Sequence, residues 1–193
     1  MRILLIGPPG SGKGTQAVRI GDHYRLAHIS SGDLLRGHVA DDTAIGRQVA
    51  PLLANGDLVP DGVVMDVLRR PVETASREGG YVLDGFPRTV AQAEAAYLIA
   101  REIGAWVQVA LYLKVPREQL VERMLHRGAA SGRADDNLDV INHRQDVFEQ
   151  LTPPLLDYYA DRETLITIDG SKLIDGVTAT AITELDRVRP TLR

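Results

Sequence analysis

The stretch Gly7-Pro8-Pro9-Gly10-Ser11-Gly12-Lys13-Gly14-Thr15 decides the fold. It follows an apolar run, Arg2 to Ile6, that reads as a buried strand. It opens an amphipathic segment, about Lys13 to Tyr24, that reads as a helix. A glycine-rich turn between a buried strand and a helix is the context that a phosphate-binding P-loop requires. The glycines free backbone N–H groups to point inward around an anion. The helix N-terminus adds positive potential, and Lys13 can reach the terminal phosphates of a triphosphate. Gly10, Ser11, Gly12, Lys13, Gly14 and Thr15 are therefore candidate phosphate-binding residues. In one respect the loop departs from the general pattern. Gly14 stands where Ser or Thr is expected, and the hydroxyl comes one residue later as Thr15, which leaves open whether that hydroxyl touches a magnesium ion.

Outward from this loop, short apolar runs alternate with longer amphipathic stretches. Strands are expected over 27–29, 81–83, 106–115 and 165–168. Helices are expected over 32–39, 43–54, 62–70, 90–103, 117–127, 138–159 and 174–187. Asn55-Gly56 should stop one helix, Pro71 should break another and open a second short one, and Pro153-Pro154 should interrupt a third. Alternating strands and helices predict an α/β fold, a parallel sheet with helices on both faces. Its ligands would sit at the carboxyl ends of the strands. Two segments exceed what a crossover needs. Ser31 to Gly80 lacks a strand and should hold a small helical lobe. The polar Gly128–Asn137 segment reads as a flap.

Composition narrows the function. A chain of 193 residues suits one domain with small inserted lobes. It has no cysteine, which excludes disulfides, thiolate zinc and a cysteine nucleophile. The 22 basic and 26 acidic residues are mixed and sum to −4, which argues against a nucleic-acid or membrane-surface partner. No membrane-length apolar run and no signal-peptide pattern are evident, so a cytoplasmic location is expected. The five histidines show no metal spacing, and His126 and His143 read as solvent-facing. Of the basic residues 19 are arginine and only Lys13, Lys114 and Lys172 are lysine. Either a GC-rich coding sequence or a need for planar phosphate-binding groups accounts for this.

Further motifs stand at Ser30-Ser31-Gly32-Asp33-Leu34-Leu35-Arg36, Asp84-Gly85-Phe86-Pro87-Arg88-Thr89, Arg127-Gly128 and Gly132-Arg133-Ala134-Asp135-Asp136-Asn137. With the P-loop, and over nearly the whole chain, they resemble adenylate kinases, a family of nucleoside monophosphate kinases. Gly-Lys-Gly-Thr within the P-loop is itself typical of such kinases. The resemblance implies a P-loop NTPase-type five-stranded parallel sheet. The core would span 1–30, 60–127 and 138–193, the monophosphate lobe 31–59 and a short lid 128–137. It implies reversible phosphoryl transfer from Mg-ATP to AMP, giving two ADP, by a monomer.

Residue roles follow from the same resemblance. Arg36 and Arg88 would hold AMP phosphate. Arg123, Arg127, Arg133 and Arg144 would surround the donor phosphates and the migrating group, with Arg133 and Arg144 also reaching AMP. Asp84 would order magnesium through water. Asp135 and Asp136 would either bind back to arginines or cap the flap. Ser31, Gly85, Gln92 and the stretch Gly56, Asp57, Leu58, Val59 would receive AMP. Gly170, Ser171 and Lys172 would meet the adenine of ATP. Ser31, Thr89 and Gln92 favour AMP over the UMP or CMP of a sister kinase. The short lid without cysteine implies no zinc. A P-loop switch that transfers no phosphoryl group is the alternative from another class, and the second set of arginines argues against it.

Overall fold

A computed structural model describes residues 1–131, 137–162 and 164–191. The strands are β1 (Arg2–Ile6), β2 (Ala27–Ser30), β3 (Tyr81–Asp84), β4 (Val109–Lys114) and β5 (Leu165–Asp169). They form one parallel sheet in the order β2-β3-β1-β4-β5. Ile3, Leu4, Leu5 and Ile6 are all buried, which explains why β1 reads as a continuous apolar run: both its faces are covered. Leu4 and Ile6 face one core with Leu83 and Ala110. Ile3 and Leu5 face the other with Leu111 and Ile168.

The helices are α1 (Lys13–Tyr24), α2 (Ser31–Ala40), α3 (Ala44–Asn55), α4 (Asp61–Arg77), α5 (Val90–Glu102), α6 (Arg117–Ser131), α7 (Leu138–Leu151), α8 (Pro153–Ala160) and α9 (Ile174–Val188). Ala17 and Ile20 of α1 and Val177, Ala181 and Leu185 of α9 close one face of the sheet. The opposite face takes buried residues of α2, α3, α4, α5 and α8. Helix α2 packs on both α3 and α4. The chain leaves β1 for the β3 side and later returns to the β4 side, so the sequence of strands reverses beside β1. The P-loop leaves the sheet at that point, where α/β sheets bind ligands.

Four expectations are corrected. Pro71 does not break a helix: α4 runs unbroken through it. Val64, Leu68 and Ala75 are buried, and Val72 packs on the same core. These contacts share one helical face and outweigh the roughly 3 kcal/mol cost of an interior proline. Residues 106–108 stay outside β4. Arg2 binds them instead, its Nε donating to the Trp106 carbonyl at 2.7 Å and its backbone N–H to Gln108 Oε1 at 3.0 Å. Helix α6 does not end at Arg127 but continues to Ser131. Gly128 costs an exposed helix only about 1 kcal/mol, too little to stop it. Residues 128–131 are thus helical, and residues 132–136 lie outside the described residues. Finally, Pro153 does more than interrupt: it occupies the first turn of a separate helix, α8.

Candidate active site

The phosphate loop is built as its sequence demands. Gly10 and Gly12 have φ of 84° and 91°, a region that L side chains rarely adopt. A Cβ at Gly10 would lie 2.9 Å from both the Leu120 carbonyl oxygen and Met124 Cγ, so α6 admits only glycine there. Lys13 folds across the loop, and its Nζ donates to the carbonyls of Gly7 at 2.8 Å and Pro8 at 3.0 Å. Burial lowers its pKa from 10.5 to about 8. Asp84 opposes the shift, while Arg88, Arg144 and Arg127 add to it. Ser11 is buried with its Oγ lacking any partner among the described residues. An unpaired hydroxyl inside an anion cradle fits a phosphate oxygen.

The cleft over this loop encloses about 710 Å³ and gathers arginines from four elements. Arg36 comes from α2, Arg88 from the loop after β3, Arg123 and Arg127 from α6 and Arg144 from α7. Desolvation is the largest influence on Arg88, lowering its pKa to about 10. Arg144 and Arg36 push the same way and Asp84 opposes. The backbone at Gly85 turns with φ of 84°, and a Cβ there would strike Ser31 Oγ at 2.4 Å. Arg88 Nε then donates to the Gly85 carbonyl at 2.9 Å. Arg36 turns back over Gly32 to pair with Asp33. Arg123 ties α6 to the loop after β5 by donating to the Gly170 carbonyl at 3.0 Å. Gly170 has no room for a side chain, since a Cβ would lie 2.8 Å from Val115 Cγ2. Lys172 is exposed at the cleft edge.

Behind Arg36 and Arg88 lies a smaller recess of about 50 Å³, lined among others by Ser31, Asp57, Leu58, Val59 and Gln92. Gln92 is buried, and both ends of its amide are held. Its Oε1 accepts from the Arg88 backbone N–H at 2.7 Å, and its Nε2 donates to Asp61 Oδ1 at 2.6 Å. Gly56 caps α3 with φ of 79°, and the Arg144 stem fills the place of its missing side chain.

Asp84 ends β3, buried, and His28 Nε2 lies 2.9 Å from its Oδ2. The same oxygen faces the start of α1, where a Cβ at Gly14 would lie 4.0 Å away. Among the described residues no group of three or more His, Cys, Asp or Glu could hold a metal ion. Asp84 and the exposed Thr15 offer oxygen only, a donor set that fits magnesium completed by phosphate and water.

Of the expected residues, the P-loop, Arg36, Asp84, Gly85, Arg88, Arg123, Arg127, Arg144, Gly170 and Lys172 share one cleft. Ser31, Asp57, Val59 and Gln92 line the recess, while Leu58 lines both spaces. Arg133, Asp135 and Asp136 lie outside the described residues. His126 and His143 are both exposed as read, and His143 Nε2 also lies 2.9 Å from Asp57 Oδ1. The sequence reading missed Asp61, His28 and Gln145. Gln145 is buried and donates to the Pro9 carbonyl at 2.8 Å, bracing the P-loop from α7. The one available signal was a glutamine in line with Ile141 on the inward face of α7.

Comparison with known proteins agrees with this geometry. A sequence model of the family described as adenylate kinase matches residues 5–164. The chain is 41% identical over 186 residues to an adenylate kinase of Kocuria rhizophila, covering 96% of this chain and 99% of that protein. It is 46% identical over 175 residues to one of Deinococcus radiodurans, covering 87% of this chain and 88% of the relative. A third relative, from Nitrobacter winogradskyi, is 42% identical over 184 residues, 92% of this chain and 89% of its own length. The chain belongs to the adenylate kinase family.

Proposed function

We propose that the protein transfers the terminal phosphoryl group of ATP to AMP, reversibly, giving two ADP. One observation carries the reading most: a P-loop and a second, arginine-lined phosphate position open into one cleft. A switch that only binds a triphosphate has no use for the second position. An oxygen of the AMP phosphate attacks the terminal phosphorus of ATP, and the bond from that phosphorus to the β-phosphate bridging oxygen breaks. The attacking oxygen is already ionised, so no general base is needed, and catalysis rests on alignment and charge.

Lys13 and the loop N–H groups hold the β- and γ-phosphates. Arg88 and Arg36 hold the AMP phosphate. Arg123, Arg127, Arg133 and Arg144 balance the charge that shifts as the group moves. Asp84, with Thr15 as a further candidate, would hold magnesium, which would supply positive charge to the donor phosphates. Gln92 reads the adenine of AMP. The Gly170–Lys172 loop meets the adenine of ATP. Residues 31–59 act as the AMP lobe and 128–137 as a short lid, both closing over the substrates and opening to release products. The working form is a cytoplasmic monomer.

A coupled assay tests this directly. With Mg-ATP saturating, AMP should support turnover far above CMP, UMP or GMP. Preference for CMP or UMP would transfer the assignment to a pyrimidine monophosphate kinase. Binding of ATP without turnover of any acceptor would refute the reading.

A further inference from the structure

A second cavity, of about 430 Å³, lies between α5 and the sheet face that carries Tyr81 and Leu83. Ala93, Ala96 and Ala100 of α5 offer it one methyl each, and the partly exposed Tyr97, Ile99 and Ile103 line its mouth. The helix spans the sheet without filling the space beneath it. A volume of this size falls within the range of ligand pockets, roughly 300–1,000 Å³.

Most of the lining is hydrocarbon and aromatic ring. Among the described residues its ionised side chains are Arg69 and Arg162, and no described carboxylate lines it. Arg162 lies over the Tyr158 ring, 3.5 Å from the centroid, and donates to the Tyr158 carbonyl. No carboxylate partner is recorded for either arginine among the described residues. An apolar chamber whose charged groups are all cationic suits an occupant that is apolar along its length and anionic at one end. A chain of roughly ten to twelve carbons fits within it without filling it.

We propose that this cavity binds a single-chain amphiphile with one anionic head, a saturated carboxylate of about ten to twelve carbons. Its tail lies beneath α5 and its head meets Arg162, with Arg69 nearby. This site is separate from the nucleotide cleft. Leu83 lines the cavity while the next residue, Asp84, lines the cleft, and Pro87 borders both.

The test needs no nucleotide, so its outcome is independent of the kinase reading. Trp106 lines the cavity and is the single tryptophan of the chain, which makes its fluorescence a local probe. Decanoate, below its micelle concentration, is titrated into the intact protein with decanol as the neutral control, followed by Trp106 emission and calorimetry. A saturable response at one decanoate per chain is expected. Ala100→Leu, which fills the chamber, should weaken binding of both probes by about tenfold or more. Arg162→Gln, a surface change that leaves the core untouched, should weaken decanoate by about tenfold and decanol by less than about twofold. The proposal fails if Trp106 gives no saturable response, or if Ala100→Leu leaves binding intact. It also fails if Arg162→Gln affects both probes equally, or if sedimentation shows that a second copy covers α5 instead.

Discussion

The two locks on Gln92 make a prediction about which bases the enzyme accepts. A carboxylate can only accept a hydrogen bond and a backbone N–H can only donate one. Asp61 Oδ1 therefore fixes the Nε2 end of the Gln92 amide, and the Arg88 N–H fixes the Oε1 end. One amide hydrogen and one lone pair remain to meet a base. That pair matches an edge offering a ring-nitrogen acceptor beside an amino donor, as adenine and cytosine do. It opposes guanine and uracil, whose edges carry the reverse pattern. CMP and UMP are nearly the same size, so the ratio of their kcat/KM values isolates the polarity of Gln92 from pocket volume. CMP should exceed UMP in the native protein.

Asp61→Ala removes the charged lock. The flipped amide, which would set Oε1 against a carboxylate, then loses only the Arg88 bond. A hydrogen bond to a charged group contributes about 1.5–3 kcal/mol and a neutral one about 1 kcal/mol. The flip cost should thus fall from about 3 to about 1 kcal/mol, and the CMP-to-UMP ratio should drop by about tenfold or more. Asp61→Asn keeps a carbonyl acceptor and should retain most of the discrimination. Asp61 is an exposed residue in the first turn of α4, so Asp61→Ala also forfeits a helix-dipole contact, costing about 0.3–1 kcal/mol of stability. Steady-state kinetics with each monophosphate, alongside Tm to confirm folding, decides the matter. An Asp61→Ala ratio within about twofold of native, in a folded protein, would refute the argument that the lock sets base polarity.

Three further outcomes follow from the same geometry. Gly10→Ala, which meets the Leu120 carbonyl and Met124 at a φ of 84°, should weaken ATP by about tenfold or more in calorimetry and lower Tm. Lys13 holds its proton less firmly in the fold, at about 8 against an ordinary 10.5. Its contribution to stability is therefore unfavourable below pH 8 and is relieved as pH rises from 8 to 10.5. ATP phosphates should restore its charge, so binding at pH 8 should take up about half a proton, read by calorimetry in buffers of different ionisation enthalpy and absent in Lys13→Met. Pro71→Ala should stabilise the protein by about 1–2 kcal/mol in urea denaturation without changing kcat, because it restores a helical N–H in α4.

Features that repeat along one segment were legible in the sequence. The buried strands, the amphipathic helices and the P-loop each declare themselves within about ten to fifteen residues, where periodicity and glycine placement are local facts. What misled was also local. Proline and glycine have fixed propensities, yet α4 passes through Pro71 because Val64, Leu68, Val72 and Ala75 find a core that the sequence does not display. The partners of the site were hidden for a related reason. Asp61 lies 31 residues from Gln92, His28 lies 56 from Asp84, and Gln145 lies 136 from Pro9. Each is an ordinary polar residue until the fold brings the pair together. Resemblance marked the arginines because they belong to motifs, but their braces belong to none.

The charge of the molecule shows most sharply how sequence totals and site physics part company. A net charge of −4 suggests indifference to anions. Within the cleft, however, Lys13, Arg36, Arg88, Arg123, Arg127 and Arg144 converge around the carboxylates of Asp84 and Asp33. Burial and mutual repulsion lower both Lys13 and Arg88, so the fold holds these cations at a cost. Lys13 turns to the loop carbonyls of Gly7 and Pro8, and Arg88 to that of Gly85, each a neutral acceptor where a phosphate would be a charged one. The missing favourable term is supplied only when phosphates arrive. Substrate binding should therefore stabilise the fold by more than its contact area suggests, and the stabilisation should shrink as salt screens the cluster. Much of the strength of phosphate recognition thus comes from like charges gathered beforehand, not from any one arginine.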